Sequence, residues 1–229
     1  TQINLRKGKI YLIDIPLDHK KLRLIKKNLF IKNSFDLGLK LVNKINSLAL
    51  INGPISKTTF LKGKYSGITE YLAFKTGSVN EVMIIFNKQL SVSPITTHVP
   101  INMVAKKIKK KIIISKINRI NDFYKKFLGF KPNIAVTGLN PHCETFVGKN
   151  IEKLEILPAI NFLKKKKINI LGPFSADTIF LKDNRKKYNV IVGMYHDQVL
   201  APMKTIFGFD AINITIGLPF VRITPDHGP

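Results

Sequence analysis

The chain has 229 residues, enough for one large α/β domain with a substantial core, and holds no apolar run long enough to span a membrane. A single cysteine, Cys143, excludes an intramolecular disulfide, and the opening Thr1-Gln2-Ile3-Asn4 carries no apolar leader, so a reducing, cytoplasmic location is expected. The formal charge of +24 rests almost wholly on lysine, without the interleaved aromatics a nucleic-acid surface uses for stacking; a lysine-rich compositional bias accounts for it better than a nucleic-acid partner does.

Along the chain, Lys9 to Asp14 reads as a short strand and Lys20 to Asn33 is ambiguous. Ser34 is a candidate N-cap for a helix through Ile45. Leu48 to Ile51 is a buried-strand run closed by Asn52-Gly53-Pro54-Ile55-Ser56-Lys57. Val82 to Phe86 and Leu90 to Thr96 read as a hairpin across Asn87-Lys88-Gln89. The basic runs Lys106 to Lys111 and Lys164 to Lys167 read as solvated helix faces or ends. Ser115 to Leu128 is an amphipathic helix stopped by Gly129. Asn133 to Thr137 is a strand, and Ile151 to Lys166 a helix that must kink or break at Pro158. Strands follow at Ile168 to Leu171, Asn189 to Met194 and Ala211 to Thr215, the last leading into Gly217 to Arg222. This alternation predicts an α/β fold with a mixed, mostly parallel sheet. No G-x-G-x-x-G follows a strand.

Chemistry gathers at the strand ends. His98, His142 and His196 each stand just past the C-terminal end of a strand, the edge at which open α/β sheets bind ligands. Three imidazoles can hold a divalent metal and leave positions open for substrate, although any one of them can equally be a structural histidine. Asp177 and Asp197 are placed to orient an imidazole or relay a proton, and Asp177 also suits a helix N-terminus. Lys204 and Arg222 are candidates for a phosphate or carboxylate, set against the general basicity of the chain; Asn213 is a candidate for a polar substrate group. Cys143 beside His142 has no oxyanion hole marked near it.

Several blocks then occur together and in order: Asn52-Gly53-Pro54-Ile55-Ser56-Lys57, Thr96-Thr97-His98-Val99-Pro100, Gly138-Leu139-Asn140-Pro141-His142, Gly172-Pro173-Phe174-Ser175-Ala176-Asp177-Thr178, Met194-Tyr195-His196-Asp197-Gln198, and Asn213 through Arg222 to Asp226-His227-Gly228. From about Leu48 to Pro229 the chain resembles the 4-hydroxythreonine-4-phosphate dehydrogenase family of pyridoxal phosphate biosynthesis. The resemblance implies an isocitrate/isopropylmalate dehydrogenase-like α/β/α sandwich and a homodimer with active sites at the subunit interface. It implies one divalent metal (zinc, magnesium or cobalt) on His98, His142 and His196, shared across the dimer. Substrate would meet Thr69, Lys204, Asn213 and Arg222, with Lys204, Asp197 and Asp177 as candidate catalytic groups. NAD or NADP would lie near His227 and Gly228.

The chain departs from the family pattern at Gly67-Ile68-Thr69-Glu70, where histidine usually stands in place of Ile68, and in the loop Cys143 to Gly148, which is shorter and bulkier. The family's glycine-rich N-terminal segment and final helix are not in the sequence, so residues 1–229 are expected to be one incomplete catalytic unit of two intertwined subdomains. The expected reaction is NAD-linked, metal-dependent oxidation of 4-phosphooxy-L-threonine to a β-keto acid that decarboxylates to 3-amino-2-oxopropyl phosphate. A related dehydrogenase of a phosphorylated sugar acid (4-phospho-threonate or erythronate) is the alternative, and a basic nucleic-acid-binding module the alternative of another class.

Overall fold

The computed structural model describes residues 8–16, 24–44, 49–56, 60–61, 63–65, 67–79, 81–143, 148 and 150–227. Among these, eight strands form one sheet: β1 (Ala49–Ile51), β2 (Val82–Phe86), β3 (Ser91–Thr96), β4 (Ile134–Thr137), β5 (Ile170–Phe174), β6 (Val190–Tyr195), β7 (Ile212–Ile216) and β8 (Val221–Pro225). Their order is β1-β8-β7-β2-β3-β6-β4-β5. The β3-β6-β4-β5 half is parallel, β2 is antiparallel to both of its neighbours, and β8 runs antiparallel to β7 and parallel to β1. This is the expected mixed, mostly parallel α/β sheet.

The helices are α1 (Leu24–Lys44), α2 (Ile68–Thr76), α3 (Ile101–Lys107), α4 (Lys110–Phe123), α5 (Leu157–Lys165), α6 (Ala176–Ile179), α7 (Lys182–Arg185) and α8 (His196–Phe207). None of the described helices is long and apolar enough to cross a membrane. Two cores follow from the pleat. On one face Val82, Ile84, Ile134, Val136, Val190, Val192, Ile214 and Ile216 pack under α4 and α5. On the other, Met83, Ile85, Val92, Ala135 and Ile191 meet Val199 and Met203 of α8. A third cluster joins Phe35 and Leu39 of α1 to Ile68, Tyr71 and Leu72 of α2 and to Phe220.

Several expectations need correction. Residues 9–14 form no strand with any of the described residues, and Ile10 and Leu12 are fully exposed. Ser34 is not an N-cap but lies inside α1, where its hydroxyl donates to the Phe30 carbonyl at 2.8 Å, the helical back-bond open to serine. Pro158 stands where the expected helix divides into two shorter pieces: a π-helical turn, Glu152–Ile156, gives way to α5, and the proline occupies the first turn of α5. The amphipathic helix starts earlier than expected, at Lys110, and closes through a π-helical turn, Tyr124–Leu128, onto Gly129 at φ 79°. The lysines of both basic runs are exposed at helix ends, as the pattern predicts.

The join between β6 and α8 sets up the site. The Gln198 side chain accepts from the Met194 amide (2.6 Å) and the Thr137 hydroxyl (2.9 Å) and donates to the Gly138 carbonyl (2.8 Å), tying the ends of β4 and β6 together. A Cβ on Gly193 would stand 2.4 Å from Val199 Cγ1, so α8 packs down on β6 only over a glycine. Gly193→Ala is therefore expected to cost about 1–3 kcal/mol of stability, read as a lowered urea midpoint at unchanged m-value. An unchanged midpoint would show that α8 can lift away freely.

Candidate active site

The cleft that collects most of the predicted residues is built by strand alternation. In Ile212–Ile216 the odd-numbered Asn213 and Thr215 face the side opposite Ile214 and Ile216, and the β7–β8 register sets Arg222 opposite Thr215 and Thr224 opposite Asn213. Met83 and Ile85 of β2 continue the same two rungs. One sheet face is thus apolar under α8 and turns polar across β7 and β8, and this polar part is the cleft floor. Asn52, the start of α2 (Gly67, Ile68 and Thr69), His98, His196, Asp226 and His227 complete the walls of a cavity of about 160 Å³.

Arg222 is the buried cation of the floor. It is 5% exposed, with Nε donating to Asn52 Oδ1 at 2.8 Å and Nη1 to Thr69 Oγ1 at 3.1 Å. Burial pushes its guanidinium down to about 10, against the opposing pull of Glu70. It stays charged at neutral pH, but in a place that favours a bound anion. Thr69 also meets the Thr215 hydroxyl at 3.4 Å. Asn213 Oδ1 is buried in the same cleft without a hydrogen-bond partner among the described residues.

At the top of the cleft stand His98, following β3, and His196, the first residue of α8, with ring centroids 6.0 Å apart. Each has a carboxylate on Nδ1: Glu70 Oε1 at 3.1 Å from His98 and Asp197 Oδ1 at 2.6 Å from His196. A carboxylate accepts only, so the contact calls for a proton on Nδ1, an arrangement that in a neutral imidazole leaves the Nε2 lone pair open. That is the usual preparation of an imidazole for metal. Two such rings, with centroids 6.0 Å apart, are candidates to hold a divalent cation with borderline nitrogen affinity.

Other expected residues lie outside the cleft or at its rim. His142 does not line the cleft: it is exposed in a tight turn at φ 59°, and among the described residues no three metal-binding side chains come together within one copy. The approach to this turn is held by the buried Glu152, which accepts from the amides of Leu139 and Asn140 at 3.0 and 2.8 Å and from the Asn140 side chain. Lys204 does not line the cleft either. Its ammonium donates to Asp226 Oδ2 at 2.5 Å and to the Asp226 carbonyl at 3.0 Å, and lies over the Phe209 ring. Asp177 is exposed in the first turn of α6, whose N-cap position belongs to Ser175. His227 packs edge-on against Phe209 at the rim, and Gly228 lies outside the described residues. Cys143 is buried under Gly138, away from the cleft.

The sequence reading passed over Asn52, Glu70, Thr215, Thr224 and Asp226 as site residues. The strict alternation of Ile212–Ile216 and of Val221–Pro225 signals the two threonines, since a hydroxyl between β-branched apolar residues marks the second face of a strand.

The comparisons agree with this architecture. The family model of the pyridoxal phosphate biosynthetic protein PdxA matches residues 6–229. The 4-hydroxythreonine-4-phosphate dehydrogenase of Sulfurihydrogenibium sp. (strain YO3AOP1) is 44% identical over 185 residues, covering 79% of this chain and 56% of the relative. That of Xanthobacter autotrophicus is 37% identical, covering 85% and 58%. The chain thus spans a little over half the length of these curated relatives. A solved 4-hydroxythreonine-4-phosphate dehydrogenase from Klebsiella pneumoniae superposes with a TM-score of 0.77 at 31% identity, over 94% of this chain and 69% of the other. With the family model covering all but the first few residues and the sheet matching in three dimensions, the chain belongs to the family of the pyridoxal phosphate biosynthetic protein PdxA.

Proposed function

We propose that this chain carries the substrate- and metal-binding part of a 4-hydroxythreonine-4-phosphate dehydrogenase. On this reading it oxidises 4-phosphooxy-L-threonine with NAD or NADP to a β-keto acid, which then loses carbon dioxide to leave 3-amino-2-oxopropyl phosphate. The observation that carries the reading is the His98–His196 pair, each ring backed by a carboxylate, above a floor that holds the buried Arg222.

His98 and His196 would hold the divalent ion (zinc, magnesium or cobalt), with His142 of a second copy as the third nitrogen. The homodimer is supported by the failure of one copy to assemble three ligands among its described residues, and by the apolar Val99, Pro100, Ile101 and Val104 beside the histidine pair. When bound, the ion polarises the substrate hydroxyl and the nicotinamide accepts the hydride. Arg222 binds the phosphate or carboxylate through its free edge, since Nη2 has no partner among the described residues. Thr69 and Asn213 orient the polar groups of the substrate. Lys204 joins them by exchanging Asp226 for the ligand's anion, and Asp197 keeps His196 aimed. Asp177 has no role within the cleft of one copy. The exposed His227–Phe209 pair, with Gly228 following, offers an aromatic surface to the nicotinamide nucleotide at the rim.

Ile68 favours one variation on this reading. It is 5% exposed and puts an apolar wall beside Thr69 where the family pattern has histidine, so the same chemistry on a phosphorylated sugar acid is the second reading. A side-by-side NADH assay decides between them. Turnover of 4-phosphooxy-L-threonine is expected to exceed that of 4-phospho-threonate and erythronate phosphate, to vanish with a chelator and to return with zinc or cobalt. Reversed preference would favour the sugar acid, and chelator-resistant turnover would remove the metal from the scheme.

A further inference from the structure

Glu70 stands one residue after Thr69 in the first turn of α2, and it has no place among the substrate or metal groups expected from the sequence. Three observations converge on it. Its Oε1 lies 3.1 Å from His98 Nδ1, across 28 residues of sequence. The contact also lies against bare backbone: a Cβ on Gly67 would stand 2.7 Å from Glu70 Oε2 and 3.2 Å from His98 Cε1, so a side chain there would press on both members of the pair. Finally, Glu70 acts on two buried cations. It opposes the desolvation of Arg222 in the cleft floor, and after Glu81 that of Lys116, a buried residue of α4 whose ammonium burial pushes down.

We propose that Glu70 is a positioning residue that keeps the proton of His98 on Nδ1, presents Nε2 to the cleft, and links the imidazole to the Thr69–Arg222 floor through the first turn of α2. This rests on the metal-binding reading given above and adds to it the group that fixes one ligand. The contrast with His196 sharpens the assignment. Asp197 is the immediate neighbour of His196 and its side chain is 82% exposed, so water competes with it directly; Glu70 is 24% exposed and is delivered by a separate helix. A carboxylate brought from another element constrains a ring more firmly than one on the adjoining residue. It also makes the aim of His98 depend on where α2, and hence Thr69, sits.

The test reads the tautomer of His98 in the metal-free, ¹⁵N-labelled protein by long-range ¹H–¹⁵N correlation, with His98→Asn to assign the signals. Wild-type His98 is expected as the Nδ1–H form. Glu70→Leu, which fills similar space without an acceptor, should shift it toward Nε2–H, the form favoured by a free imidazole. Glu70→Ala is read in the same way should the leucine variant not fold. An Nδ1–H population unchanged from wild type in the folded variant overturns the proposal. Zinc affinity is then measured on the same samples, with a 10–100-fold loss expected in Glu70→Leu. Unchanged zinc affinity beside a shifted tautomer would overturn the positioning role. Failure of the wild-type protein to bind zinc would instead remove the metal reading itself, a result the metal-free tautomer measurement keeps separate.

Discussion

Replacing His196 by alanine should abolish metal-dependent NADH production, with turnover down by about 10³-fold or more. The magnitude follows from the several kcal/mol that a bound cation contributes to stabilising charge on the reacting oxygen, at 1.36 kcal/mol for each factor of ten. The fold should survive. His196 is half-buried at the first position of α8, and Gln198, not His196, joins that helix to the ends of β4 and β6. The stability change is therefore expected to stay within about 0.5 kcal/mol. Metal content by elemental analysis and NADH production by absorbance are read on the same sample. Retained turnover with wild-type metal content would sink the ligand assignment.

Arg222→Met should act on the substrate more than on the chemical step. The guanidinium is held well below its ordinary range, to about 10, by burial. A depression of that size corresponds to roughly 3 kcal/mol of disfavoured charge, which a bound anion offsets. Methionine removes that cost but leaves Asn52 Oδ1 and Thr69 Oγ1 without their donor, so the two effects on stability oppose each other. Loss of a buried, charge-assisted anion contact costs about 2–5 kcal/mol, so KM should rise by roughly 30-fold to several thousand-fold, with kcat falling much less. Arg222→Lys should not rescue, because one ammonium cannot hold Asn52, Thr69 and a ligand in the plane of a guanidinium. A variant with wild-type KM would place the anion elsewhere in the cleft.

Much of the sheet was legible because β-branched runs bounded by turn residues occur where strands do: β2, β3, β4 and β6 lie within a residue or two of the predicted runs. The misses have separate causes. Residues 9–14 carry the pattern of a strand but pair with no strand among the described residues, and pattern alone cannot supply that pairing. Strand β8 hides between Pro219 and Pro225, which demote it locally, whereas its pairing with β7 and β1 is a long-range property. Helix α8 contains Pro202 and opens on the site residues themselves, and no element is expected there from the sequence. Within the site, His98, His196, Thr69, Asn213 and Arg222 come together as their strand-end and family positions suggest. Lys204 and Asp177 do not reach the cleft, because a position in sequence fixes neither the direction of a side chain nor the ion pair that claims it.

The floor of the cleft carries one further consequence. Its polar groups sit on two paired strands whose other face is core, so specificity and folding are written in the same alternating residues. Inserting or deleting a single residue in β7 would turn Ile214 and Ile216 into the cleft and carry Asn213 and Thr215 into the core. A change to the floor that keeps the core is thereby confined to point replacement at Asn213, Thr215, Arg222 or Thr224.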